Sequence, residues 1–312
     1  MLDDLDRGIV HALHVDGRAS FRRIGEVLGV STQTVTRRYQ RLRRDAGLRV
    51  AALPPPGAPR REQWLVRLTT TPAGAQVVAE AIARRPDTSW VRLLAGGTEI
   101  VAIASHGRTG SPPPLLQDLP KAASVGTVAA HLVLHTYRGG PTTWPGRFRA
   151  LTPEQEDALR PARASTASSR AGGEEERRLR VVLGRDGRTS LADLAALTGW
   201  SPATVARRLV ELRAAGELFL DVDLDDTVLG VGTRALLWLA VAPRDLDAVA
   251  RELAGHDALA YVAAITGTHA LVAQVLATDP EDLHRYLTGP LAAVRAVHDV
   301  ETSPVLRTVK SL

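Results

Sequence analysis

Residues 16–42 and 186–212 align without a gap and are identical at 11 of 27 positions. The shared residues include DGR at 16–18 and 186–188, Gly29 with Gly199, Ser31 with Ser201, Thr34-Val35 with Thr204-Val205, and Arg37-Arg38 with Arg207-Arg208. A second register carries the match onward, pairing Pro72 with Pro243, Trp90 with Tyr261 and Gly96 with Gly267. The repeat therefore spans about 130 residues, too long for a solenoid unit. It points to two copies of a two-domain protein fused head to tail, and 312 residues leave room for them at about 150 residues per domain.

Composition narrows the class. Hydrophobic residues make up 45% of the chain and charged residues 23%, the balance of a folded protein. Apolar stretches such as ALLWLAVA at 235–242 fall well short of the roughly 20 residues that cross a bilayer. The opening LDDLDRGIVHALHVDGR places acids first and has no signal-type apolar core, so a cytoplasmic location is expected. With no cysteine, disulfides, thiolate nucleophiles and Cys-ligated zinc are excluded. The net charge of +5 comes from 37 arginines and two lysines against 34 acids, which suits a polyanionic partner.

Each copy opens with about fifty residues of helical pattern. Ile9, Ala12 and Leu13, then Phe21, Ile24 and Leu28, then Val35, Tyr39 and Leu42 recur at the spacing of three short amphipathic helices. Ser31 and Ser201 are N-cap residues of the third, and Gly47 and Gly216 end it. The remainder of each copy alternates as βαββαβ, an antiparallel sheet with helices on one face. The expected fold is α+β: winged helix-turn-helix 1 over 1–52, a ferredoxin-like domain over 63–138, and a linker with a short helix over 139–173. A second winged helix-turn-helix follows over 174–224 and a second ferredoxin-like domain over 233–312. The first wing, LRVAALPPPG, reads as degraded.

Three short helices with a tight turn before the third place that helix in a major groove. Val35, Tyr39 and Leu42 face inward, leaving Thr34, Arg37, Arg38 and Arg41 on the opposite stripe with Gln33 and Thr36 on its shoulders. Arginine pairs bidentately with guanine, glutamine with adenine, and threonine meets the thymine methyl or a phosphate. Arg18, Arg22 and Arg23 are expected to clamp the phosphate backbone, since nine arginines face only Glu26 and Asp45 between 18 and 49. Ser201, Thr204, Arg207 and Arg208 are the second copy's counterparts, but Glu211 stands where Arg41 was, so weaker contact is expected there.

LDDLDRGIV, DGRASFRRIGEVLGVS, TVTRRYQRL and AGL, with AAGELFLDVDLDDTVLG, TGTHALVAQV and ETSPVLRTVK in the second copy, resemble the Lrp/AsnC family of bacterial transcription regulators. The resemblance implies a winged helix-turn-helix joined to a ferredoxin-like domain that dimerises through its sheet and senses an amino acid or similar small molecule. It implies double-stranded DNA as partner, homo-oligomers built on an intrachain pseudo-dimer, and no catalysis or cofactor. The family's effector turn places the site near Gly96, Glu99, Gly267 and His269. This turn departs from the family's glycine, two residues, aspartate: the first copy keeps an acid and the second does not.

Other chemistry finds less support. His131 and His135 share one strand face without a third metal ligand, and GRTGSPPP lacks the GK[ST] of a phosphate loop. HTYRGGPTTWP, with His135, Tyr137, Arg138 and Trp144-Pro145, is similar to the H-C-Y-x-R and W-P of the sirohaem decarboxylases, which are also paired Lrp-like units. The cysteine of that motif is absent here. The enzyme is the alternative reading.

Overall fold

The side chains of Asp3, Ser20, Ser31, Thr152, Ser190, Ser201 and Asp279 cap helices. The computed structural model describes residues 2–53, 62–106, 113–119, 123–139, 149–161, 173–224 and 226–311. In chain order the first copy holds α1 (Asp4–Val15), α2 (Phe21–Leu28), α3 (Thr32–Asp45), β1 (Arg49–Leu53), β2 (Glu62–Thr70), α4 (Ala75–Ala83), β3 (Thr88–Leu94), β4 (Glu99–His106), α5 (Pro114–Asp118) and β5 (Val125–Arg138). There follow α6 (Pro153–Leu159), α7 (Glu174–Arg185), α8 (Leu191–Thr198), α9 (Pro202–Ala214), β6 (Phe219–Asp223), β7 (Thr233–Val241), α10 (Leu246–Ala254), β8 (Leu259–Ile265), β9 (Leu271–Ala277), α11 (Pro280–Tyr286) and β10 (Val297–Lys310).

The chain does not divide copy by copy. One compact unit combines Met1–Pro55 with Gly140–Gly230, and the other combines Pro56–Gly139 with Val231–Leu312. The helical parts of both copies thus pair with each other, and so do the two sheets.

In the helical unit, Asp3 and Asp6 form a reciprocal capping box on α1, and Ser20 and Ser190 cap α2 and α8. Gly29 and Gly199 close α2 and α8 in left-handed conformation at φ 67° and 78°, which their lack of Cβ permits. The strand of the first wing is formed over Arg49–Leu53, although LRVAALPPPG reads as degraded, and its PPPG lies outside the described residues. β1 and β6 pair antiparallel from Arg49↔Asp223 to Leu53↔Phe219, so each strand satisfies the other's backbone. Sequence could not reveal this, because the hydrogen-bonding partner lies in the other copy. The predicted linker helix also differs from a free spacer: α6 packs on α1 and α2, with Leu151 and Leu159 buried. The rest of the expected 139–173 linker lies largely outside the described residues.

In the sheet unit the strands run β10-β3-β4-β2-β5-β8-β9-β7 and close into an antiparallel barrel. Two long strands change partners midway. β5 pairs β2 as far as Leu132 and β8 from Val133, while β10 pairs β7 as far as Pro304 and β3 from Val305. Alternation then decides the packing. Leu65, Val101, Leu236, Trp238, Ala263, Val272 and their neighbours from all the strands converge inside. Leu237, Leu239, Val262 and Ala273 face α10 and α11 outside, and Val66, Leu68, Val91 and Ala102 face α4 and α5.

Candidate nucleic-acid interface

The hydroxyls of Ser31 and Ser201 accept the Thr34 and Thr204 amides at 3.1 Å, and each lies 2.9 Å from the same threonine's Oγ1. Thr36 Oγ1 donates to the Thr32 carbonyl at 2.8 Å. These hydroxyls start the helix and hold its first turn. Val35, Tyr39 and Leu42 are buried as their spacing predicts, and Gln33, Arg37 and Gln40 are exposed. Among the described residues Arg37 has no ion-pair partner, so its guanidinium is free for a ligand.

Arg38 and Arg41 are placed differently. Arg38 turns back to Asp3 and Asp6 on α1, with Nη1 3.2 Å from Asp6 Oδ1, and Arg41 also pairs with Asp6. Asp6 is 1% exposed and Arg38 22%. The second copy repeats the staple: Arg208 Nε donates to Glu176 Oε2 at 2.9 Å, and Glu176 stands 170 residues beyond Asp6. The repeated arginines thus fix α3 and α9 to the first helix of their own copy. Arg207 is exposed, 3.6 Å from Glu211. Its outward neighbours Ala203, Ala206 and Val210 replace Gln33, Thr36 and Gln40, so this stripe keeps only Thr204, Arg207 and Glu211 as polar side chains.

Among the expected backbone clamps Arg22 alone is exposed, in an i,i+4 pair with Glu26 at 3.4 Å. Arg23 Nε donates to the Ala158 carbonyl at 2.7 Å and so holds α6. Arg18 is the clearest departure. Its guanidinium donates to the Gly187 and Thr189 carbonyls at 2.6 and 3.0 Å, and Arg188 returns the contact to Gly17 and Ala19 at 2.7 and 3.0 Å. Burial, followed by the charge of Arg188, lowers the Arg18 pKa. Arg188 also stacks on Phe21 and Tyr39, at 4.6 and 5.4 Å from the ring centroids.

The DGR run is therefore an interface motif between the copies. Asp16 accepts from Arg213 at 2.8 Å, and Asp186 lies 3.7 Å from Arg43. A Cβ on Gly17 would stand 2.8 Å from Leu220 Cβ and 2.9 Å from Val50 Cγ1, so only glycine admits the β1–β6 ribbon. The available signal was repetition itself: a residue that serves both sides of a pseudo-two-fold must occur twice.

The four residues expected at an effector site lie in the sheet unit, at the turns before β4 and β9. Glu99 pairs with Arg67, whose Nη1 also donates to Glu301 Oε2 at 3.0 Å and whose guanidinium lies 4.7 Å from the Trp238 ring. The Arg67 hydrogen bond holds the Glu301 carboxyl below its usual range, and the charge of His269 acts in the same direction. His269 Nε2 is 3.5 Å from Asp299. The structure thus brings Glu99 and His269 to either side of one Arg67–Glu301 bridge. Gly96 takes φ 69° in open space, while a Cβ on Gly267 would meet His131 Nδ1 at 2.6 Å. His131, by sequence a sheet residue, donates through Nδ1 to the Thr266 carbonyl at 2.6 Å.

Known proteins resemble these units. The AsnC-type helix-turn-helix domain matches residues 2–43 and 177–213, and the Lrp/AsnC ligand binding domain matches 234–312. The HTH-type transcriptional regulator FL11 of Pyrococcus horikoshii is 25% identical over 139 residues, covering 44% of this chain and 91% of its own. Regulatory protein AsnC of Haemophilus influenzae is 25% identical over 136 residues, covering 41% and 91%. The crystal structure of the siroheme decarboxylase NirDL shares the fold at TM-score 0.62 and 13% identity, covering 99% of this chain and 93% of its own. Among the described residues no helix is long and apolar enough to cross a membrane.

Proposed function

Since this chain belongs to the Lrp/AsnC family, we propose that it is a sequence-specific DNA-binding transcriptional regulator whose amino-terminal recognition helix reads the duplex. The observation that carries the reading is the outward stripe of α3. Gln33 and Arg37 are exposed on a capped helix, and the arginines that would compete for the same groove are engaged elsewhere. Arg37 has the geometry for guanine and Gln33 for adenine, while Arg22 serves the phosphates. The apolar stripe of α9 leaves Arg207 as its one cation toward DNA, so the second helix adds phosphate contact rather than base reading.

The finer architecture belongs to the same proposal. We read each copy as a winged helix-turn-helix followed by a ferredoxin-like sheet, with boundaries near 1–52, 63–138, 174–224 and 233–312. The β1–β6 ribbon and the barrel closure then supply within one chain the pairing that separate subunits would otherwise provide. A small anionic or amino-acid effector would act at the turns that carry Glu99 and His269, by competing for the Arg67–Glu301 bridge.

The test is retardation and footprinting of the intergenic DNA beside the gene, over a salt series. A protected site with a steep negative slope of log affinity against log salt supports the reading. Absence of duplex binding in dilute buffer overturns it. The whole-chain fold likeness to a siroheme decarboxylase gives a definite competing outcome: a Soret band on titration with sirohaem and its decarboxylation. Packed apolar side chains inside the barrel and a doubly neutralised Arg67 favour the regulator.

A further inference from the structure

The first turn of α2 carries Arg22 and Arg23 and no acid, whereas the first turn of α8 carries Asp193, which bonds Ser190 through both its amide and its carboxylate. A helix start favours negative charge, so two arginines there oppose the macrodipole and suit an anion from outside. Arg22 is largely exposed. Arg23 is held back: its Nε and Nη2 donate to the Ala158 and Arg160 carbonyls at 2.7 and 3.4 Å, at the carboxyl end of α6.

The segment that holds it lies over α1 and α2. Leu151 and Leu159 are buried, His11 Nδ1 accepts the Ala150 and Leu151 amides at 3.1 Å each, and Gln155 donates to the Val27 carbonyl at 3.0 Å. The same segment brings Glu154, Glu156 and Asp157 beside the helix start, against Arg160 alone. A phosphate approaching Arg23 therefore meets an occupied guanidinium and added negative charge. The second copy provides the control. Ala192 and Asp193 stand where Arg22 and Arg23 were, Val181 replaces His11, and among the described residues no equivalent of α6 packs on α7 and α8. The strap occurs where there is a cation to withhold.

We propose that residues 149–160 are an autoinhibitory strap, which keeps Arg23 from the phosphate backbone of duplex DNA until the strap is displaced. The inference rests on the reading that the first helix-turn-helix binds duplex, and it assigns how that binding is regulated. Two buried leucines and the bonds through His11, Gln155 and Arg23 favour the closed form in the free protein. DNA favours the open form, because it gains one arginine contact and loses the acids of α6. Reciprocity then requires that duplex loosens the strap by the factor by which the strap weakens duplex binding.

The experiment uses the full chain and a fluorescent mixed-sequence duplex, followed by anisotropy over a salt series. Leu159→Ala with Gln155→Ala weakens the strap without touching Arg23. This variant should bind about threefold or more tighter in dilute buffer, with a slope of log affinity against log salt steeper by about 0.9, the value of one further phosphate contact. Adding Arg23→Ala should return the slope to that of the parent. Ala150→Pro, which removes one amide donated to His11, should move affinity in the same direction. Hydrogen exchange on the unaltered chain decides the matter without any substitution: saturating duplex should speed exchange across 149–160 while α1 and α2 stay protected. Parental slope and affinity in the strap variants, or exchange over 149–160 that is unchanged or slower with duplex, overturns the proposal and leaves the DNA reading standing. Failure of parent and variants alike to bind any duplex in dilute buffer overturns both.

Discussion

Arg37 and Arg38 are adjacent, both arginine in both copies at the equivalent positions, and physically opposite in role. Arg37→Ala should relax base preference at one position and cost about 1 to 3 kcal/mol of specific binding, with melting unchanged; equal loss on all sequences would make it a phosphate contact instead. Arg38→Ala removes one of the two guanidiniums on Asp6, 1% exposed, and leaves it with Arg41 alone. Because Arg38 is itself partly exposed and Arg41 stays on Asp6, the destabilisation should be about 1 to 2 kcal/mol, below that of a fully broken buried pair. Denaturant unfolding measures it, and Arg38→Met combined with Asp6→Leu should recover most of the loss. A stable Arg38→Ala protein with impaired base preference would reverse the assignment. The one-residue difference follows the 100° helical step, which turns Arg37 outward and Arg38 back over α1.

Two elements of the helical unit carry opposed proton linkages. Burial lowers the His14 pKa at the end of α1 to about 4, with the His11 charge adding to it, and raises that of Asp221 on β6 to about 6. A histidine that folds neutral is outnumbered in bound protons by the unfolded chain between about 4 and 6.5, so its stability is present above that window and lost as pH falls through it. The aspartate behaves inversely: the cost of its buried charge disappears as pH falls from about 6 toward 3.8. Each full shift corresponds to about 3 kcal/mol, so the two nearly cancel. Asp221→Asn should therefore be more stable than the parent at pH 7 and lose that advantage steadily toward pH 4. Urea unfolding of both proteins across that range checks it, and parallel profiles would refute it. Among the described residues α6 has no counterpart on α7, and β1 and β6 need each other, so neither copy's helical part is complete alone.

At the scale of the molecule, Arg18, Arg188, Arg43 and Arg213 fix the three-helix parts of the two copies in one unit. Arg188→Ala removes two charged hydrogen bonds to carbonyls and the contact with Phe21 and Tyr39. A loss of about 2 to 4 kcal/mol is expected in calorimetry. Operators with two half-sites at fixed spacing should lose affinity more than a single half-site does. Equal loss on both would show that the modules bind independently of their register. The sheet unit needs no second chain to complete its barrel, since β5 and β10 each bridge the two halves.

Hydrophobic period, caps and turn glycines identified the helices and strands in each copy, because these depend on residues within a few positions of one another. The buried stripe of α3 and its outward residues were legible for the same reason. The purpose of DGR, the partner of each wing strand, the attachment of α6 and the ion pairing of Arg38 were not. All depend on groups 32 to 197 residues away, as in the Arg38–Asp6 and Asp16–Arg213 contacts. A local pattern records which face of a helix is polar, whereas only the tertiary structure decides whether the charge on that face meets solvent, a carboxylate of its own copy or a carbonyl of the other.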